Sequence, residues 1–313
     1  MKDSFNNKSN YNNEEIDLIE LFQILLRGKW FIVSFTAFVS IIAVIISIAL
    51  PNIYESHALL TPTKKSNSIS AAMKNFSGLA GLAGINLPSD VDGGNAARAK
   101  EKIRSLSFFE NNILKNIYLP DLMAVKDWDP KTNYLSYDET IYDAKSDAWV
   151  RKYSYPRQQI PSAQESFKVF TEQHINLTED TKFGFITLSI KHQSPYIAKK
   201  WVELIVDEIN NFYRQNDKLE SQKAISYLNQ QISLTSFSEI KEVLAQLVQE
   251  ETKKLSLIEA TQFYVFEYID PPAVMETKSG PKRSLICILS ALLGGLLSIV
   301  IVLARHYFLK KGS

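Results

Sequence analysis

The sequence predicts an α+β membrane protein in which two transmembrane helices flank a periplasmic α/β base with a long antiparallel helical hairpin. Three observations lead there. Uncharged runs of membrane length lie near both ends, β-patterned segments lie between them, and the stretch 195–234 keeps helical periodicity without a glycine or an interior proline.

Phe31 to Leu50 is 20 residues without a charge, and Ser284 to Ala304 is 21. At about 1.5 Å per helical residue each reaches roughly 30 Å, the thickness of a bilayer's hydrocarbon core. Core helices of soluble proteins are rarely so long and so apolar on every face. A cleaved signal peptide fits the first run poorly. Its leading region would hold Asp3, Glu14, Glu15, Asp17 and Glu20, and the run exceeds an h-region of about 7–15 residues. Both runs are read as retained anchors.

Lys2, Lys8, Arg27 and Lys29 precede the first span, and Arg305, Lys310 and Lys311 follow the second, while Lys282 and Arg283 lie on the opposite side. Arg27 and Lys29 weigh most, because long loops translocate largely regardless of charge. The expected layout is a cytoplasmic segment 1–30, a first span 31–50, a periplasmic domain 51–283, a second span 284–304 and a cytoplasmic tail 305–313. The single cysteine, Cys287, lies within the second span. The exported domain is large enough to bury a core without disulfides, which suits a bacterial periplasm. A composition of 45% hydrophobic and 22% charged residues with net charge +1 excludes a polybasic nucleic-acid binder.

Within the exported part, Pro51 ends the first helix and 54–60 reads as a strand. A second strand covers 183–190, with Ile186, Leu188 and Ile190 on one face, and a third covers 264–269 and runs into Asp270-Pro271-Pro272. The first and third are expected to pair. Ser194-Pro195 reads as an N-cap followed by proline at the first helical position. Apolar residues then recur at Ile197, Trp201, Leu204, Ile205 and Ile209, and again at Leu219, Ile225, Leu228 and Ile232. Forty residues of helix would be about 60 Å long. Ser236 and Glu239 have capping-box spacing and are expected to start the returning helix, whose apolar face runs through Ile240, Leu244, Leu247, Val248, Leu255 and Ile258. The hairpin, about 195–262, has few internal partners along its length, so some of its apolar surface is expected to meet another copy. Between Ser68 and Asp90 the chain is rich in Gly, Ala and Ser; Gly78, Gly81 and Gly84 match neither a dinucleotide fingerprint nor a P-loop.

Chemistry is sparse. His57, His174, His192 and His306 show no metal-ligand spacing, and neither HExxH nor GxSxG occurs. Asp127-Trp128-Asp129-Pro130 could supply a glycosidase carboxylate pair, but Asp-Pro reads more naturally as a turn. No catalytic residue, cofactor or metal is expected. Membrane packing has a clearer signal. Ser290, Gly294 and Ser298 are spaced by four, as are Ala291 and Gly295, while Ser40, Ala43 and Ser47 offer a matching face in the first span. Small residues at such spacing let helix backbones approach in lipid.

Taken in order, "IDLIELFQILLRGKWFIV", "LPDLMAVKDWDP", "YPRQQIPSAQESFKVF", "ITLSIKHQSPYIAKKWVELIVDEIN", "AISYLNQQISLTSFSEIKEVLAQLVQEETKKLSLIEA" and "YVFEYIDPPAV" resemble the Wzz-type chain-length determinants, the kinase-less class of polysaccharide co-polymerases of bacterial inner membranes. The resemblance covers nearly the whole chain. It implies a ring-like homo-oligomer, acting with a Wzy-type polymerase to regulate the length of O-antigen in lipopolysaccharide or of a related surface glycan. It also implies membrane lipid and nascent polysaccharide as contacts, and no nucleic acid. The family's proline-rich run is denser than the Pro271, Pro272 and Pro281 found here, and the nucleotide-binding domain of its kinase-bearing relatives is not expected after Ser313. The expected coupling segment between base and membrane is Pro271, Pro272, Pro281, Lys282 and Arg283. The alternatives are a periplasmic adaptor for polysaccharide export, using the hairpin as a bridge, and a glycan-processing enzyme using Asp127 and Asp129.

Overall fold

A computed structural model describes residues 18–63 and 94–311 and divides into two units, one built from the two ends of the chain up to Pro51 and from Gly280, the other from Asn52–Ser279. The glycine-rich stretch Ser68–Asp90 lies outside the described residues.

In the first unit, helix α1 (Leu18–Arg27) leads through Gly28 into α2 (Lys29–Ala49). Their partner is the last helix, α8 (Arg283–Lys311). Arg283 of α8 donates to the Leu50 carbonyl at 3.2 Å, and a Cβ built on Gly294 would lie 3.1 Å from Val39 Cβ. A Cβ on Gly28 would meet Val302 Cγ1 at 2.7 Å. These three points, from one end of α2 to the other, define an antiparallel pair. Only 11% of the apolar window of α2, or of α8, is buried. A core helix of a soluble protein would be mostly covered, so the exposed apolar surface calls for lipid.

The second unit is built on a four-stranded antiparallel sheet of order β6-β7-β1-β8. Its strands are β1 (Tyr54–Pro62), β6 (Ile175–Asp180), β7 (Phe185–His192) and β8 (Phe266–Asp270). The first and third predicted strands do pair, with Leu60 opposite Tyr268, and β1 also pairs β7, with Ala58 opposite Leu188. Ile186, Leu188 and Ile190 are buried on one face, as their alternation requires. Strand β7 starts two residues later than expected, because Gly184 takes φ +70 in the turn from β6. Strand β6 was not anticipated; its own apolar alternation is short, and it is held by pairing Leu177 with Leu188.

Helix α6 (Pro195–Leu234) crosses the sheet and buries Ala198, Trp201, Val202, Ile205, Val206 and Ile209 against it. Helix α3 (Gly94–Ile103), the helical turns of 106–116 and helix α5 (Ala163–Val169) with the turn Phe170–His174 complete the core, contributing Phe108, Phe109, Ile113 and Phe170. A short helix α4 (Leu119–Met123) leads to two hairpins, β2 (Val125–Asp129) with β3 (Tyr134–Tyr137), and β4 (Tyr142–Asp143) with β5 (Ala148–Trp149). Aspartates start the turns. The carboxylates of Asp129, Asp138, Asp143 and Asp180 each accept the backbone N–H two residues on.

Helix α7 (Ser238–Ala260) returns along α6. The expected capping box at Ser236 and Glu239 is absent. Phe237 is the N-cap, it makes no side-chain cap bond, and the helix is opened instead by Lys241 N–H donating to the Phe237 carbonyl at 3.1 Å. Thr235 and Phe237 both have extended backbone, so three residues reverse the chain. The complete capping box is at Ser162 and Glu165, at the start of α5.

Candidate functional site

No cluster of three or more metal-binding side chains occurs among the described residues. Of the Asp127–Asp129 pair, Asp129 is engaged in a turn. Asp129 lies at the end of β2, where its carboxylate accepts from Lys131 N–H at 2.9 Å and from Thr132 Oγ1 at 2.8 Å. These bonds hold its pKa below the ordinary carboxylate range. A glycosidase acid needs the opposite shift. What the structure builds with care is mechanical: two places where chain segments far apart in sequence are fastened together.

The first is the passage between strand and span. Strand β8 ends at Asp270, and Pro271 and Pro272 follow; the proline that lacks an N–H cannot extend the ladder. Pro272 is buried and Pro271 exposed. The segment then runs back along the start of β1. Ser56 Oγ donates to the Ala273 carbonyl at 2.8 Å, and the Ser279 N–H and hydroxyl both donate to the Ile53 carbonyl, at 2.8 and 3.2 Å. Lys278 Nζ reaches Asn52 Oδ1 at 3.4 Å. Within the membrane unit, the Arg283 guanidinium on the Leu50 carbonyl places a cation at the C-terminal end of α2, where orphan carbonyls and the helix dipole favour one. Lys282 is exposed and Pro281 half-buried.

The small residues of the spans fall on two faces. Ala43 and Ser47 are the buried residues of α2, and Gly294 and Ser298 are buried in α8. Ser298 Oγ donates to the Gly295 carbonyl at 2.7 Å and Ser290 Oγ to Cys287 at 2.9 Å, which satisfies both hydroxyls inside their own helix. Gly294 brings its backbone against Val39 and Thr36; Gly295 sits beside Thr36 Oγ1 with room to spare, and Ser40, Ser290 and Ala291 are half-buried.

The second fastening joins the hairpin to the base, and the sequence reading passed over it. Asn210, 3% exposed, interrupts the apolar stripe of α6. Its Oδ1 accepts the backbone N–H groups of Tyr264, Val265 and Phe266 at 3.0, 2.7 and 3.0 Å, while Nδ2 donates to the carbonyls of Val206 and Phe266, both at 3.0 Å. One carboxamide thus holds the chain as it leaves α7 and enters β8. One and two turns further on, Arg214 donates to the Thr261 carbonyl at 3.1 Å, the Tyr264 hydroxyl donates to Asp217, and Lys218 pairs with Glu259. Burial raises the Asp217 carboxyl, partly offset by that hydroxyl and by Lys254. A polar residue inside an apolar stripe was the available signal.

The start of α6 has its own device. Ser194 is the N-cap, as expected, but its side chain makes no cap bond. Its N–H donates instead to His192 Nδ1 at 2.9 Å. That acceptor must be unprotonated, so the ring proton is on Nε2, which donates to the Asp121 carbonyl at 3.0 Å. His174 packs beside His192 with ring centroids 5.7 Å apart, and Trp201 packs edge-on against both. Burial pushes the His192 pKa down to about 4, with Asp121 and Ser194 opposing and His174 assisting.

The family model "Wzz: Chain length determinant protein" matches residues 14–114. Among solved structures, a full-length bacterial polysaccharide co-polymerase is similar at 16% identity and a TM-score of 0.37, covering 94% of this chain and 99% of that one. A fragment of WzzB, a polysaccharide co-polymerase from Salmonella Typhimurium, is similar at 12% identity and a TM-score of 0.32, covering 73% of this chain and all of the fragment. No curated protein matches. The family match takes in the run leading to α2, α2 itself and β1, and over those residues the chain is similar to the Wzz chain length determinants.

Proposed function

We propose that this protein regulates the chain length of a surface polysaccharide, O-antigen of lipopolysaccharide or a related glycan, as an oligomeric inner-membrane scaffold acting on a Wzy-type polymerase. The observation that carries this reading is the family match over 14–114, placed on a chain whose two membrane-length helices enclose a base and a hairpin. In this reading the base and hairpin face the periplasm and both termini the cytoplasm. The scaffold has no catalysis of its own. Length is set by geometry: copies align through the exposed apolar residues of the hairpin, and the fastened passage 271–283 transmits that alignment to the spans, where a polymerase would be met.

The uncovered surface of the hairpin supports self-association. Leu219, Tyr227, Leu234, Phe237, Ile240 and Val243 are each 48–69% exposed on a pair of helices with water around them. Surfaces of that kind usually face a partner. Reconstitution tests the proposal. Purified full-length protein in lipid discs, incubated with polysaccharide alone, is expected to leave its length unchanged. Added to polymerase and lipid-linked repeat units, it is expected to turn a smoothly declining product series into a clustered one. An identical series with and without the protein would remove the length-regulator reading and favour the export adaptor.

A further inference from the structure

We infer that the end of the membrane unit where α1, α2 and α8 meet is a binding site for the phosphate headgroup of an anionic phospholipid. A groove of about 430 Å³ opens there between the α1–α2 junction and α8. Arg27 and Arg305 line it from opposite sides, both exposed, and neither guanidinium has an ion pair or hydrogen bond among the described residues. Beside the two arginines stands His306, and the rest of the wall is apolar, including Ile24, Trp30, Phe31, Ile301 and Val302. Two cations above a greasy slot match a phosphate carried on acyl chains. They do not match a sugar, which needs acceptors as well as donors, or a free anion, which has no use for the slot.

The depth is right for a headgroup. Arg27 precedes the uncharged run by four residues, Arg305 follows its counterpart directly, and Trp30, 77% exposed, stands at the same boundary. Tryptophan at the interface and arginine reaching for phosphate are the ordinary anchors of such a level. The groove is also built, not incidental to two mobile side chains. Gly28 lets the junction approach α8 so closely that a Cβ there would overlap Val302 Cγ1 at 2.7 Å. That approach brings the two arginine-bearing turns together.

The inference rests on α2 and α8 spanning a membrane, and carbonate extraction tests that separately: release of the wild-type chain would overturn the membrane reading and the site with it. For the site, delipidated full-length protein in detergent is offered equal phosphatidylglycerol and phosphatidylcholine of matched acyl chains, and adducts are counted by native mass spectrometry. With about 1 kcal/mol per arginine at a lipid surface, the anionic lipid is expected to be preferred roughly tenfold or more. The double variant R27Q/R305Q should fall to near parity, whereas K278Q/K282Q, which removes as much charge elsewhere, should keep the preference. Gly28→Val should weaken it with both arginines in place. Equal adducts of the two lipids, or a preference that survives R27Q/R305Q, would overturn the site. Displacement of the lipid by millimolar inorganic phosphate would reassign it to a free anion.

Discussion

Replacing Asn210 by leucine keeps the side chain's bulk and removes its carboxamide, leaving the buried N–H groups of Val265 and Phe266 without the acceptor they have now. Each unmet buried donor costs about 1–3 kcal/mol, so N210L is expected to lose roughly 3–5 kcal/mol of stability in denaturant titration of the full-length protein. A loss below about 1 kcal/mol would show that the clamp is dispensable. His192 makes a pH-dependent contribution whose sign follows from its burial. Its pKa drops from 6.5 to about 4 on folding, so the unfolded chain binds the proton more readily. Its contribution is complete above pH 6.5 and is lost as pH falls from 6.5 towards 4. Lys200 lies near the Asp121 carboxylate, and the carboxyls of Asp121, Asp207 and Asp217, raised by burial, act in the opposite direction at the acid end. The comparison of wild type with H192Q therefore isolates the imidazole: the variant should be flatter between pH 6.5 and 4, and parallel curves would contradict the assignment. At this scale the sequence was half legible. Ser194-Pro195 marked the start of α6, but the capping ring sits two residues before it, and the acceptor role of Asn210 depends on a backbone that arrives 54 residues later. Ser236 and Glu239 had the right letters in a connector that is extended, while the same letters at Ser162 and Glu165 were overlooked because no long apolar stripe follows them.

Among the elements, periodic helices and membrane-length runs were plain to read because each carries its own signal. Helix α6 begins and ends at Pro195 and Leu234, as its repeat implied. The small strands were harder: β6 and the β2–β3 and β4–β5 hairpins take their order from pairing and from aspartate turns, not from a pattern along one segment. The exposed stripe of α7 belongs to this scale. Val243 and Leu247, 56% and 42% exposed, lie one turn apart on the same face. Val243→Lys with Leu247→Lys is expected to reduce the size of the detergent-solubilised assembly in mass photometry without unfolding the monomer, since neither residue is in the core. An assembly of unchanged size would place the contact between copies elsewhere. The passage 271–283 makes a different prediction. Pro271→Ala with Pro272→Ala frees two backbone angles just beyond β8. Membrane insertion should stay intact in carbonate extraction while the polysaccharide length distribution shifts, and an unshifted distribution would remove the coupling role.

For the whole molecule, the central claim is the one proposed above: the protein sets a polymer's length by holding copies and spans in register. Its two-unit plan was visible in the sequence because the membrane-length runs and the strand-and-helix pattern between them are separated along the chain, and β1 and β8 lie next to those runs in sequence. The fastenings that make the plan mechanical, Asn210 on Tyr264–Phe266 and Ser279 on Ile53, were not, because they join positions with no shared local signal. The most direct measurement is the surface-polysaccharide ladder on a gel from cells with the gene, without it, and with it restored. The account predicts a cluster around a preferred length that collapses to a smooth decline on deletion and returns on complementation. A ladder that stays clustered without the protein would contradict it.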